Sequence, residues 1–226
     1  LAEIEARHFP VKMALKRWGE SARYAGSKDR AFVSGLVLDA LRRKRSLGYM
    51  MGDSSARGVV LGVLAHVWGW SPERVAEAAG EEHGAGALAE AEIKALAAPA
   101  SLDDAPAPVA GDYPDWLEPF LARALGDTVR VEMAALSQRA PVDLRINTIK
   151  TDAERGAKAV ALIGGEPAGV LENAFRIPAP QAADRTPSVE AVPAFSKGWF
   201  EVQDLGSQIA ATMAVEIKGK QVLDFF

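Results

Sequence analysis

Residues 198–211 read GWFEVQDLGSQIAA, and residues 220–226 read KQVLDFF. The first stretch predicts a strand, a polar turn and an amphipathic helix. The second predicts a buried strand, because the apolar residues of segment 222–226 surround a single acid, Asp224. A buried strand followed by a glycine-rich turn opens a nucleotide-binding α/β domain. Only two residues follow Asp224 here, so we expect the truncated beginning of such a domain.

The composition is that of an ordinary globular protein, with 49% hydrophobic and 25% charged residues. The longest apolar stretch, about residues 59–70, is too short to span a bilayer. The sequence as given does not begin with an export signal, so we expect a cytoplasmic protein without a membrane partner. It contains no cysteine, which excludes disulfides, thiolate metal sites and a cysteine nucleophile within these residues.

Charge is distributed unevenly along the chain. Residues 1–60 hold twelve Lys and Arg against six Asp and Glu, a net charge of +6. The other 166 residues carry −10, which gives the overall −4. A basic first part on an acidic chain points to nucleic acid, although a solvated helix face explains the charge equally well.

The first hundred residues predict an all-α bundle, because several segments have apolar residues at helical spacing and are joined by short loops. Asp29 is expected to cap the second helix, and His66 in the third is expected to be a buried structural histidine rather than a ligand. The predicted helices cover residues 10–24, 30–46, 56–68, 72–79 and 87–97.

The second helix is predicted to finish in the run Arg42, Arg43, Lys44 and Arg45. Cations in a last turn complement the carbonyl end of the helix, so part of this run needs no ligand. Four in a row exceed what capping requires. Two interpretations therefore remain: RNA or phosphate contact through Arg42, Arg43 and Arg45, or a solvated helix end.

The chain then changes character twice. Residues 99–119 contain five of the 13 prolines and predict a linker, followed by helices at 115–124 and 128–138, the second capped by Asp127. From Pro141 onward, a strand at 142–147, a helix at 153–163 and short strands near 168–171 and 174–177 predict a small α+β domain. A second proline-rich connector covers residues 178–193.

The strand at 142–147 places Asp143, Arg145 and Asn147 on one face, because strand side chains alternate. Arginine and asparagine on an open face, with Lys150 just beyond, can contact phosphates and the edges of unpaired bases. The alternative is a surface salt bridge between Arg145 and an acid such as Asp143.

Gln203, Asp204 and Ser207 lie where a strand gives way to a helix. Asp204 can cap that helix, with Ser207 in its first turn. An amide and an acid at such a junction also suit a pocket beside a nucleotide. Asp224, inside a predicted buried strand, slightly favours a role at a site.

Three motifs together resemble the Sun-type RNA (cytosine-5) methyltransferases, the RsmB group of 16S ribosomal RNA enzymes. They are PVDLRINTIK at 141–150, FSKGWFEVQDLGSQ at 195–208 and VLD at 222–224, and YPDWL at 113–117 also fits. The helical first hundred residues resemble the NusB-like RNA-binding domain that many of these enzymes carry.

The resemblance implies transfer of a methyl group from S-adenosylmethionine to carbon 5 of a cytosine in RNA. In that family a cysteine thiolate attacks carbon 6 of the base, which makes carbon 5 nucleophilic. The resemblance places Arg145, Asn147 and Lys150 in an RNA-contacting domain, and Gln203, Asp204 and Ser207 in the first elements packed on the catalytic core. Asp224 would lead into the cofactor loop. The family usually has cysteine near the position of Phe226, so this chain alone is expected neither to catalyse the reaction nor to bind S-adenosylmethionine.

We therefore predict a multi-domain, monomeric chain whose partner is RNA, in particular 16S ribosomal RNA. The predicted parts are an all-α NusB-like bundle at 1–100, a linker at 101–112, an α+β domain at 113–193 and the truncated start of a Rossmann-like methyltransferase domain at 194–226. Three alternatives stay open: a stand-alone RNA-binding module, a protein-interaction module of ribosome assembly, and a related methyltransferase with another RNA substrate.

Overall fold

The computed structural model describes residues 1–7, 9–82, 84–182, 184 and 189–216. The chain forms two compact units. The first comprises Leu1–Arg139 with Gln181–Arg185, and the second comprises Ala140–Pro180 with Thr186–Phe226. The predicted strand at 222–226, with Asp224, lies outside the described residues.

The described regular secondary structure of the first unit is helical, as the sequence predicts for the bundle at 1–100 and for the helices at 115–124 and 128–138. Its α-helices are α1 (Ala2–Arg7), α2 (Val11–Ser21), α3 (Ser27–Arg42), α4 (Lys44–Met51), α5 (Ala56–Gly62), α6 (Pro72–Gly80), α7 (Glu90–Ala97), α8 (Ala107–Ala110), α9 (Glu118–Leu125) and α10 (Val129–Leu136). A π-helical turn, Val63–Val67, continues α5.

The segment from α5 through its π-helical turn forms the centre of this unit, which confirms the apolar helix predicted at 56–68. Val59, Leu61, Val63 and Leu64 are all buried there, and Val63 is 0% exposed. Burying one such aliphatic side chain contributes about 1.5–3 kcal/mol, so this segment anchors the helices around it. His66 is half-buried, and burial lowers its pKa, which agrees with a structural histidine.

The helix predicted at 30–46 is interrupted. It begins earlier, at Ser27, and ends at Arg42, and α4 starts at Lys44 after a non-helical Arg43 with φ −124° and ψ 29°. Asp29 is not the N-cap, because it lies inside the first turn, where its carboxylate accepts the Gly26 N–H at 2.8 Å. The basic run therefore surrounds a helix junction instead of closing one long helix.

Residues 102–113 are packed, unlike the extended linker that their proline content indicates. They form a 3₁₀ turn at Leu102–Asp104 and the short helix α8, with Pro106 just before its first turn. Arg130 donates hydrogen bonds to the carbonyls of Leu102 and Ala105, and Tyr113 is only 2% exposed. Prolines here start helical turns, which their fixed φ favours. The later helix α10 has Thr128 at its N-cap, where Asp127 was expected.

In the described part of the second unit, one sheet has the strand order β2-β3-β1-β4. Its strands are β1 (Val142–Ile146), β2 (Glu166–Pro167), β3 (Ala174–Ile177) and β4 (Phe200–Val202), and all neighbouring pairs are antiparallel. The α-helices of this unit are α11 (Ala153–Ala161), α12 (Pro193–Ser196) and α13 (Leu205–Glu216). The predicted succession of a helical part and a small α+β part is confirmed.

The core of the second unit lies on one face of the sheet. Leu144 and Phe200 are 0% exposed and pack with Val160 of α11. The helix approaches the strand closely: a Cβ on Gly156 would lie 2.6 Å from the Ile146 Cγ2 atom, so only glycine fits there. This packing leaves the opposite face of the sheet to the polar residues of β1.

Candidate nucleic-acid interface

The basic run of the first unit makes intramolecular contacts. Arg42 donates to Asp39 at 3.3 Å, and Arg45 donates to the Tyr113 carbonyl at 2.5 Å and to Asp115 at 2.7 Å. Arg43 is half-buried and acts electrostatically on Asp112. The guanidinium groups of Arg42 and Arg45 hence already have acceptors, and their proposed role toward RNA remains a prediction.

Asp112 caps α4 from about seventy residues further along the chain. Its carboxylate accepts the N–H groups of Arg45 and Ser46 at 2.8 and 2.9 Å, together with the Ser46 hydroxyl at 2.5 Å. Burial raises the pKa of Asp112, with opposing hydrogen bonds from Ser46. An acid at a helix N-terminus binds otherwise unpaired N–H groups, so much of the junction has a structural explanation. No local pattern around Asp112 reveals this role.

On the polar face of β1, Asp143 is a structural acid. It is 7% exposed and accepts from Arg176 at 2.6 and 2.9 Å and from the Leu205 N–H at 2.9 Å. The hydrogen bonds from Arg176 lower the pKa of Asp143, although burial opposes them. Asp143 therefore joins β1, β3 and the start of α13, and is not the open-face residue that alternation predicts.

Arg145 forms its ion pair with Glu201 of β4, at 3.1 Å. The surface salt bridge suggested for Arg145 is therefore present, with Glu201 as its acid, whereas Asp143 is bound to Arg176. The two residues of the pair are about half exposed, so the pair contributes at most about 1 kcal/mol. An ion pair this exposed can open at low cost to let Arg145 contact a ligand.

Asn147 and Lys150 belong to the turn that follows β1. The Asn147 side-chain oxygen accepts the Ile149 N–H at 3.2 Å, and its backbone oxygen accepts the Lys150 N–H at 3.0 Å. The Asn147 amide nitrogen lies 3.4 Å from Glu201. Asn147 consequently shapes the turn, whereas the Lys150 side chain is exposed.

Asp204 caps α13, which is one of the two interpretations that the sequence allows. Its Oδ1 atom accepts the Gly206 N–H at 2.8 Å and the Ser207 N–H at 3.3 Å, and Ser207 lies exposed in the first turn. Gln203 is half-buried, and its Oε1 atom is buried without a hydrogen-bond partner among the described residues. Any role of these residues beside a nucleotide pocket stays a prediction.

A cavity of about 430 Å³ lies in the second unit between β1 and α13. Its walls are mostly apolar, with Ile146, Ala174 and Val215, and Arg145 contributes to its rim. A cavity of this size accommodates a small organic group. Of the polar side chains that line it, Gln208 and Thr212 already bond to backbone oxygens within the unit, whereas the Asn173 Oδ1 atom is buried without a hydrogen-bond partner among the described residues.

A second polar surface lies beside the turn that follows β1. Of its residues, only Lys150 is a candidate from the sequence. We name it the Trp199 cluster: Lys150, Arg155, Lys197 and Trp199. The Arg155 guanidinium carbon lies 4.3 Å from the Trp199 ring centre, and the Lys197 ammonium lies 5.2 Å from it. The sequence shows Lys197 two residues before Trp199, but only the fold brings Lys150 and Arg155 to the same surface.

Within the described ranges, no three potential ligands among His, Asp and Glu gather in a way that could hold a metal ion. Among the helices described, none is long and apolar enough to cross a membrane.

Comparison with known proteins gives two matches that cover 114 residues, half of this chain. The chain is 29% identical there to "Ribosomal RNA small subunit methyltransferase B" of Photorhabdus laumondii and 30% identical to the protein of that name from Pectobacterium carotovorum. Each match covers 25% of the relative, so the aligned part spans about a quarter of these curated proteins. No family model matches the sequence. The matches support a partial relationship to ribosomal RNA methyltransferases.

Proposed function

We propose that this chain is part of an S-adenosylmethionine-dependent ribosomal RNA (cytosine-5) methyltransferase and contributes binding of the RNA substrate. The observation that carries the proposal is the similarity over half of the chain to two proteins named as methyltransferases of small-subunit ribosomal RNA. The motifs at 141–150 and 195–208 support it, because they occur in the order found in the family.

In this proposal, residues 1–100 are a NusB-like RNA-binding domain, residues 113–193 contact RNA before the catalytic domain, and residues 194–226 begin a Rossmann-like methyltransferase domain. The surface of α13 supports the last assignment. Met213 is 64% exposed and Val215 is 76% exposed on α13, so the apolar side chains of this helix are not confined to the face that packs on the sheet. Such a helix is normally buried, so it suits a position at the start of a larger domain.

S-adenosylmethionine, when bound, supplies the methyl group. Asp224, which the resemblance places beside the cofactor loop, lies outside the described residues. Because the chain contains no cysteine, the thiolate of the family's reaction cannot come from these 226 residues. The contribution of this chain is therefore to hold RNA, through Lys150 and Arg145 in the second unit and the basic run in the first, as a monomer in the cytoplasm.

RNA binding by the 226-residue chain tests the proposal. We expect fragments of small-subunit ribosomal RNA to bind, and their affinity to fall as salt rises, because phosphate contacts release counterions. Fluorescence anisotropy with labelled fragments over a KCl series gives the affinity and its salt dependence. The paired variant Arg42→Ala/Arg43→Ala and the variant Arg145→Ala test the two predicted surfaces separately.

Unchanged affinity in both variants would exclude these basic surfaces as the RNA contacts. Absence of binding by the unmodified chain would refute the RNA role itself. A stand-alone module of ribosome assembly that recognises protein is then the remaining interpretation.

A further inference from the structure

In the described part of the second unit, positive charges divide into two groups. One group is neutralised, because each member lies within 3.1 Å of a carboxylate oxygen: Arg145 with Glu201, Lys158 with Glu154, and Arg176 with Asp143. The other group forms no ion pair with a carboxylate among the described residues: Lys150, Arg155 and Lys197. The second group is therefore the one that leaves positive charge for a partner.

Two of these three cations contact Trp199, and the third, Lys150, lies beside the neighbouring Gly198. Arg155 and Lys197 contact the Trp199 ring at 4.3 and 5.2 Å. The Lys150 stem passes close by, since a Cβ on Gly198 would lie 3.9 Å from the Lys150 Cγ atom. Like charges on neighbouring side chains repel each other, and this repulsion is relieved when an anion binds among them.

The backbone beneath the cluster is held in place by hydrogen bonds. The Asn147 N–H donates to the Trp199 carbonyl at 2.9 Å, which fixes the turn after β1 against β4. Asp152, two residues after Lys150, caps α11 by accepting the Arg155 N–H at 2.8 Å. Gly198 has φ +70°, which glycine adopts without strain. A prearranged backbone lowers the entropy that binding costs.

The apolar groups of this surface favour a single strand over a duplex. Ile149, next to Lys150, is 92% exposed, and Trp199 is half-buried, with part of its surface packed against the core of the unit. Proteins that bind single strands combine cations along the backbone with apolar or aromatic groups that touch unstacked bases. In an A-form duplex, the bases are stacked inside and cannot reach such groups.

We infer that the Trp199 cluster binds the phosphates of single-stranded RNA through Lys150, Arg155 and Lys197, while Ile149 and Trp199 contact its bases. This inference rests on the proposed RNA role and names the surface that performs it. Lys150 was already a candidate from the sequence; Arg155, Lys197 and Trp199 were not.

The salt dependence of binding measures the number of contacts. Each phosphate contact on a single strand contributes about −0.7 to the slope of log K against log[salt]. Three contacts give a slope of about −2, which weakens binding roughly 20-fold between about 50 and 200 mM KCl. We expect the variant Lys150→Ala/Arg155→Ala/Lys197→Ala to lose this part of the slope, as measured by anisotropy with a labelled strand of about 12 nucleotides.

The single variants Lys150→Ala and Lys197→Ala change exposed side chains and guard against misfolding of the triple variant. Each is expected to reduce the slope by about 0.7. Lys158→Ala is the matched control, because it removes an exposed lysine of the same unit whose charge is already neutralised by Glu154 at 2.6 Å, and it is expected to leave the slope unchanged. Circular dichroism verifies that each variant is folded.

Three outcomes are decisive. A slope that is the same in the triple variant and the unmodified chain overturns this inference and leaves the proposed function standing. A duplex of the same sequence that binds as tightly as the single strand overturns the assignment to single strands. If the unmodified chain binds no RNA, both the inference and the proposed function fail.

Discussion

Asp39 is a buried acid of the first unit that links α3 to two side chains distant in sequence. It is 3% exposed and accepts from Arg139 at 2.7 and 2.8 Å and from the Trp68 indole at 2.8 Å. Burial alone would raise the pKa of Asp39, but the hydrogen bonds from Arg139 and Trp68 outweigh it, and the net pKa is lowered. The carboxylate therefore stabilises the fold only while it is ionised.

We expect Asp39→Ala to lower the free energy of unfolding by about 3–5 kcal/mol, because it leaves the buried Arg139 charge without this partner. Asp39→Asn keeps the shape of the side chain and one hydrogen-bond acceptor, so we expect it to lower the free energy of unfolding by less. Arg42→Ala is the control: its side chain is 37% exposed, and the loss should stay below about 1 kcal/mol. Urea denaturation measures the stability of all three variants. Equal midpoints for Asp39→Ala and Arg42→Ala would contradict the structural role given to Asp39.

The lowered pKa of Asp39 predicts that the stability of the fold depends on pH. A carboxyl group whose pKa is lowered by folding contributes its full stability above the unfolded-state value, near 3.8, and loses it as the pH falls through the folded-state value. The stability difference between the unmodified chain and Asp39→Asn should therefore shrink below about pH 4.

At the scale of elements, the junction between α3 and α4 shows what a sequence pattern misses. The apolar residues from Phe32 to Leu41 have helical spacing, and neither glycine nor proline interrupts the basic run that follows, so the pattern predicts one helix. The interruption at Arg43 is stabilised by Asp112, whose contact is visible only in three dimensions. By contrast, the Asp204 cap was predictable because it bonds within three residues of itself.

The Asp112 cap gives a test at this scale. Asp112→Ala should lower the free energy of unfolding by about 2 kcal/mol, since it removes the acceptor of two helix N–H groups and puts alanine at φ 55°. Asp112→Asn should cost less, because asparagine tolerates that conformation and keeps an acceptor. Faster amide exchange at Arg45 and Ser46 in Asp112→Ala would localise the effect to α4.

Asp115→Ala is the matched control for this test. Asp115 is also bound to Arg45, but its side chain is 78% exposed, so its removal should change stability by less than about 1 kcal/mol. If Asp112→Ala is no more destabilised than Asp115→Ala, the cap does not hold the junction.

At the scale of the whole chain, the sequence predicted the helical part and the small α+β part because their apolar periods are local. It predicted the polar face of β1 less well, since Asp143 is bound by Arg176, which lies 33 residues away. The three members of the Trp199 cluster that it missed come from α11 and the segment before β4, and only the sheet brings them to Lys150. Contacts between distant segments thus account for most of what the sequence did not show.

The last prediction concerns the cofactor. We expect no measurable binding of S-adenosylmethionine to residues 1–226, because none of the four described strands is followed by the glycine-rich turn that a nucleotide-binding α/β domain uses. Isothermal titration calorimetry tests this, with one of the full-length relatives named above as the positive control. Heat of binding from this chain would mean that residues 1–226 already form a cofactor site, and the assignment of 194–226 to only the start of the methyltransferase domain would then be wrong.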